Sequence, residues 1–269
     1  MFYNAYNGTV KTAEAEMDYI AFGYGQKPLI MLPGLGDGLR TVKGTAIPLA
    51  FMYRQYAKDY RVYLFSRRKV MSQGFTTRDM AKDVYEAMQA LNIVSAHIVG
   101  VSQGGMIAQY LAIDYPQAVQ KLVLAVTLSR QNPTIKRVIE NWMEMAQQCD
   151  YKGIMIDTAE HSYSEEYLKK MRKSYSIIGH IGKPRSFQRF LVMAEACITH
   201  NAYEELHKIK CPTLIIGGRQ DKIATGEASE ELAQAITGSS LYMYEDLGHG
   251  AYEEGADFLT RITDFIENN

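Results

Sequence analysis

A serine flanked by glycines two residues away on either side stands at Gly100-Val101-Ser102-Gln103-Gly104. A serine hydroxyl is a weak nucleophile at neutral pH until a neighbouring base takes its proton. Gly-x-Ser-x-Gly is the spacing of a nucleophile elbow, a sharp turn from strand into helix with the serine at its tip. Side chains at the two flanking positions would collide with neighbouring backbone, hence the glycines. Isolated, the pentapeptide arises by chance roughly once in ten chains of this length and composition. Its surroundings strengthen it. Residues 96–101 form an apolar run, Gly105 extends the glycines, and a helical stretch runs to about Tyr115 before Pro116. A glycine-rich turn can instead cradle a phosphate, but no Gly-Lys-Ser/Thr follows and no Gly-x-Gly-x-x-Gly occurs.

The base must be a histidine on a loop that can reach Ser102, and the chain has six histidines. His249 lies in Asp246-Leu247-Gly248-His249-Gly250, just after an apolar strand over 241–244. Loops at strand ends are where sites of α/β proteins are built. His97 begins the strand that leads to Ser102, so it points away from the elbow tip. His161, His180, His200 and His207 fall in or just after a helical region and read as packing or solvated residues. An acid must orient the imidazole. Asp221 follows the strand over 212–217, whereas the stretch after Val126, Thr127-Leu128-Ser129-Arg130, offers no carboxylate. Asp246, three residues before His249, is the second candidate. Asp221 also suits a plain helix N-terminal charge. No His-Glu-x-x-His and no cluster at ligand spacing occurs, so neither a metal nor a cofactor is expected.

The elements that must carry these residues alternate. Apolar strands over 29–32, 61–65, 96–101, 121–126, 212–217 and 241–244 are separated by helical patterns, among them 76–91, 226–236 and 253–266. Continuous apolar strands alternating with helices predict an α/β, doubly wound, mostly parallel sheet covered on both faces. Residues 130–207 break the rhythm. They carry no clear strand and read as short helices, including 133–148, 164–175 and 184–199. The expected organisation is a core of 1–129 and 208–269 with a helical insertion at 130–207.

Lys and Arg number 29 against 30 Asp and Glu, which argues against nucleic acid and against a polybasic membrane anchor. Residues 87–113 contain no charged side chain, yet Gln89, Asn92, His97, Gln103 and three glycines exclude a membrane span. The first residues have neither the basic nor the apolar region of a secretory signal. Cys149, Cys197 and Cys211 match no zinc spacing and read as reduced core thiols of a cytoplasmic protein. Arg67-Arg68-Lys69 reads as a solvated run, or as a site for a substrate carboxylate.

On these residues the chain resembles an α/β-hydrolase fold enzyme over nearly its whole length, apart from the insertion. The chain order Ser102, Asp221, His249 is that family's triad order. The resemblance implies an oxyanion hole made by the backbone N–H groups of Gln103 and Leu35. The loop carrying the latter usually begins His-Gly; here it reads Pro33-Gly34-Leu35, without that loop-ordering histidine. The family's Asp-x-Arg-Gly segment is replaced by Ser66-Arg67-Arg68-Lys69.

The resemblance also implies that 130–207 caps the site. Its Trp142, Met143, Met145, Met155, Tyr163, Tyr167, Met171, Tyr175, Phe187, Phe190 and Met193 suit either an adaptable apolar pocket or ordinary packing. The implied activity is a carboxylesterase-like serine hydrolase of esters or lactones, with a small acyl substrate that has an apolar portion. The same residues serve acyltransferases, thioesterases, carbon–carbon bond hydrolases, cofactor-free haloperoxidases and slow-turnover receptors. Oligomeric state is not legible.

Overall fold

The computed structural model describes residues 2–177 and 182–268, so His180 lies outside the described residues. Eight strands form one sheet: β1 (Tyr6–Lys11), β2 (Glu16–Phe22), β3 (Lys27–Leu32), β4 (Tyr60–Arg68), β5 (Ala96–Val101), β6 (Val119–Ala125), β7 (Thr213–Gly218) and β8 (Ser240–Tyr244). Their spatial order is β1-β2-β4-β3-β5-β6-β7-β8. β1 pairs antiparallel with β2, and β2 with β4; every other pairing is parallel.

Ten α-helices surround the sheet: α1 (Ala46–Met52), α2 (Thr77–Ala90), α3 (Gln103–Asp114), α4 (Pro133–Gln147), α5 (Tyr151–Ser162), α6 (Glu165–Met171), α7 (Gln188–Ile198), α8 (Gly226–Ala235), α9 (Ala251–Glu254) and α10 (Phe258–Glu267), counted among the described residues. Successive side chains of a strand point to opposite faces, and here both faces are covered. Ile30, Leu32, Ile98, Leu122, Leu124 and Ile215 join the core of α2, α3 and α8. Leu29, Met31, Val99, Val123 and Ile216 join that of α1 and α10. The central strands therefore read as unbroken apolar runs. Local signals start the helices. Thr76 accepts from Asp79 N–H at 3.1 Å while Asp79 accepts from Thr76 N–H at 2.9 Å, a reciprocal cap for α2. Asn132 caps α4 just before Pro133.

Four features depart from the sequence pattern. β1 and β2 precede residue 29, where the expected strands begin, although residues 19–22 of β2 are themselves a short buried apolar run. Only Val10 of β1 is buried, and β2 holds the buried Asp18, satisfied by Thr9 Oγ1 at 2.9 Å and Thr41 Oγ1 at 3.2 Å. The helix expected over 253–266 is two helices, α9 and α10, parted around Gly255. β4 runs to Arg68 instead of stopping at Phe65. Cys149 is exposed, on a left-handed residue (φ 57°) between α4 and α5, so the three thiols are free but not all in the core.

Helices α4 to α7 lie between β6 and β7 in the chain, with α4 packed on both α5 and α7. No helix among the described residues is long and apolar enough to cross a membrane.

Candidate active site

β5 turns into α3 through Ser102, whose backbone sits at φ 53°, ψ −120°. A side chain in that region costs about 1–3 kcal/mol and persists only where its surroundings impose it. Here they do. Ser102 N–H donates to Ala125 O of β6 at 2.9 Å, and the Ser102 carbonyl accepts from Thr127 Oγ1 at 2.7 Å and Gly105 N–H at 2.8 Å. The flanking glycines are steric necessities. A Cβ at Gly104 would stand 1.9 Å from Leu32 O, and one at Gly100 would stand 2.5 Å from Gly104 O.

His249 follows β8 on a short buried loop. Its Nδ1 lies 2.8 Å from Asp221 Oδ2. A carboxylate only accepts, so this bond puts the ring proton on Nδ1 and leaves Nε2 as an acceptor. Asp221 sits just beyond β7. Its other oxygen accepts from Ile223 N–H at 2.7 Å and Ala224 N–H at 2.9 Å. The two loops are stitched together by Gln220 N–H on Leu247 O at 2.9 Å. Gly250 N–H on Ser162 O at 2.7 Å ties the histidine loop to the end of α5. Asp246, the second candidate acid, is exposed; the carboxylate on the imidazole is that of Asp221.

Leu35 opens a 3-10 turn, Leu35–Gly38, and Gln103 opens α3. The first N–H groups of a helix have no partner within it and lie at its positive end. The Gly34 carbonyl accepts from Asp37 N–H at 3.2 Å. Because a trans peptide holds C=O and N–H in opposite directions, this bond aims the Leu35 N–H away from the turn.

Ser102, His249 and Leu35 line one cavity of about 390 Å³ at the carboxyl ends of the strands. Its walls are mostly apolar, and Trp142, Met155 and Phe190 reach it from the helices between β6 and β7. Met193 and Phe187 are packed into the core instead. No Lys or Arg lines the cavity, while Glu253 does. A larger, more open groove of about 750 Å³ lies against Asn4, Gly23, Gly25 and Asn92, at the opposite ends of the strands, with no imidazole, carboxylate or thiol among its lining residues. Among the described residues no three His, Cys, Asp or Glu side chains gather as a metal-holding group.

Two other histidines, His97 and His200, are packed in the interior. His97 meets the Tyr60 ring edge-on, and burial lowers its pKa. His200 receives or gives a hydrogen bond at Thr77 Oγ1, 2.9 Å away, and burial pushes it down to about 3.

Arg67 and Arg68 overturn the expectation of a solvated basic run. Arg67 is 2% exposed; its Nη2 donates to Pro33 O and its backbone N–H donates to Asp37 Oδ2 at 2.9 Å. Arg68 forks onto Asp83 at 2.7 and 2.5 Å. Neither lines the cavity, so neither meets a substrate carboxylate there. The extension of β4 explains Arg67: it follows Phe65 by two residues and shares its inward face. Arg189 of α7 completes this group by pairing with the Asp37 carboxylate. Asp37 and Arg189 carried no signal in the sequence, because their partners are distant in the chain.

A family model described as the alpha/beta hydrolase fold matches residues 27–256. The chain belongs to this family. Among its alpha/beta hydrolase relatives is a mouse protein named a serine hydrolase, 26% identical over 262 residues, covering 93% of this chain and 83% of that one. An alpha/beta hydrolase enzyme from a Medee basin deep-sea metagenome library has a structure matching with a TM-score of 0.86, at 20% identity, over 96% of this chain and 97% of that chain. The enol-lactonase of Burkholderia xenovorans matches with a TM-score of 0.78, at 23% identity, over 96% and 99%. At these identities the solved structures speak for the alpha/beta hydrolase fold, and the family relatives for a hydrolase.

Proposed function

We propose that the chain is a serine hydrolase that cleaves a small carboxylic ester or lactone through an acyl-enzyme. One observation carries this reading: an imidazole oriented by Asp221 at 2.8 Å shares an apolar cavity with a serine held on a strained elbow. In this reading Ser102 attacks the acyl carbonyl and His249 Nε2 takes its proton. Asp221 holds the productive tautomer and stabilises the imidazolium. The N–H groups of Leu35 and Gln103 receive the oxyanion, each worth about 3 kcal/mol of barrier. His249 returns the proton to the leaving alkoxide. Water, activated by the same imidazole, then releases the acid. We read 130–207 as a cap whose Trp142, Met155 and Phe190 meet the apolar part of the substrate. The absence of Lys and Arg from the lining, with Glu253 present, favours a substrate without a carboxylate.

The test is fluorophosphonate labelling together with turnover of short-chain p-nitrophenyl esters. Ser102→Ala is expected to abolish labelling and to lower the rate at least about a thousandfold. Wild-type turnover in that variant would overturn the assignment. Labelling without measurable turnover across acyl lengths would point to a slow-turnover receptor on the same fold.

A further inference from the structure

Helix α7 is bonded to both walls of the proposed oxyanion hole, the Leu35 turn and the start of α3. On one wall, Arg189 pairs with the Asp37 carboxylate and donates to the Asp37 carbonyl. It reaches further to Arg68 O and Arg67 O, both at 3.0 Å. Asp37 in turn fixes the Gly34–Leu35 peptide through its N–H, and Arg67 holds the Pro33 carbonyl one peptide earlier. On the other wall, the Gln103 side chain donates to Met193 O at 2.6 Å and lies 3.0 Å from Cys197 Sγ. Residues 189, 193 and 197 are spaced by four, so they form one stripe along α7. Contact is close along it: a Cβ at Gly38 would stand 2.8 Å from Phe190 Cα.

We propose that α7 is a positioning element for the oxyanion hole, its Arg189–Met193–Cys197 stripe setting the separation of the Leu35 and Gln103 N–H groups. This rests on the serine-hydrolase reading. Stability alone is a poor reason to keep the cluster. The Asp37 carboxylate pairs with the Arg189 guanidinium, while the buried Arg67 guanidinium bonds to the Pro33 carbonyl. Arg67 Nε and Nη1, Asp37 Oδ1 and Gln103 Oε1 are buried with no hydrogen-bond partner among the described residues. Each such atom costs about 1–3 kcal/mol, and apolar packing in place of a buried ion pair is often no less stable. What the cluster supplies is a fixed loop and an excess positive charge behind the position where an oxyanion forms. It bonds the loop in which Pro33 stands where the resemblance implies a loop-ordering histidine.

Gln103→Met keeps the backbone N–H and removes only the anchor on α7; Arg189→Met removes the other. Each is expected to lower kcat about 10- to 100-fold, the scale of a misplaced catalytic geometry, with KM within about twofold. Rates are counted per fluorophosphonate-titrated site, so unfolded protein does not register. Affinity for a trifluoromethyl ketone, which forms an oxyanion adduct on serine, should fall in parallel. Arg189→Lys, which keeps the charge without the fork, should recover part of the loss. If Arg189→Met does not fold, Gln103→Met carries the test. Unchanged kcat per site, or a loss confined to KM, would overturn the proposal. The two failures are separable: turnover surviving Ser102→Ala sinks the serine-hydrolase reading, whereas a silent Ser102→Ala beside a fully active Gln103→Met sinks only the role of α7.

Discussion

The two ends of the sheet are built from the same strands and do different work. At the amino ends lies the larger groove, beside side chains that tie elements together. Lys121 of β6 donates to Phe265 O at 3.0 Å and Ile266 O at 2.9 Å, closing the last turn of α10, and His97 packs on Tyr60. At the carboxyl ends lies the smaller cavity, with a serine at φ 53° and an imidazole held by a carboxylate. The difference teaches that volume does not mark chemistry in this molecule. On the proposed reading, what marks it is the convergence of loops that leave the parallel strands β3, β5, β7 and β8 on one side of the sheet. The N-termini of α3 and of the Leu35–Gly38 turn lie on that side.

That contrast can be broken at several points. The largest effect is expected at the carboxyl end. Asp221→Asn should lower kcat by about 10³–10⁴-fold through loss of the tautomer, while Asp246→Asn, an exposed neighbour, should stay within about twofold. The reverse ranking in ester turnover would reassign the acid. At the amino end, Lys121→Met should leave kcat unchanged and cost about 2 kcal/mol by leaving buried carbonyls unpaired. Thermal denaturation should record this as roughly 4–8 °C for a chain of this size.

His200 gives a third test. Its folded pKa, about 3, lies below the unfolded value near 6.5, so only the unfolded chain binds the proton between them. The contribution is fully present above about pH 6.5 and declines as pH falls toward 3. At pH 5 the loss is about 2 kcal/mol. Denaturant melts of wild type and His200→Gln at pH 7 and pH 5 should differ in slope with pH, the variant being flatter. The smallest effect concerns substrate charge. A hemisuccinate ester should be turned over at least about tenfold less efficiently than a neutral ester of equal length, and Glu253→Gln should narrow that gap. Equal efficiencies in the wild type would remove the charge reading of the cavity.

Much of the fold was legible because strands buried on both faces write continuous apolar runs, as residues 29–32 and 121–126 do. The elbow was legible because steric demands leave glycine alone at positions 100 and 104. Asp221 is favoured over Asp246 as the partner of His249 because it stands just beyond a strand end and the loop after β6 carries no carboxylate. The illegible parts have a common cause. β1 buries one apolar residue, so its pairing depends on β2. Arg67 sits among charged neighbours, and its burial depends on partners 30 and 122 residues away. Such groups exist only in the assembled tertiary structure, and local composition points the wrong way for them.

The distribution of the site along the chain has a consequence for its history during synthesis. Ser102 is translated long before Asp221 and His249, and its elbow needs β6 to hold it through Ala125 O. A nascent chain that has emerged as far as α4 carries Ser102 but neither Asp221 nor His249. His249 follows Ser102 by 147 residues, and its loop is held by Asp221 and the Ser162 carbonyl, both made before it. On the proposed reading, the nucleophile therefore has no base until the loop after β8 has been made, and a chain truncated before β8 lacks it.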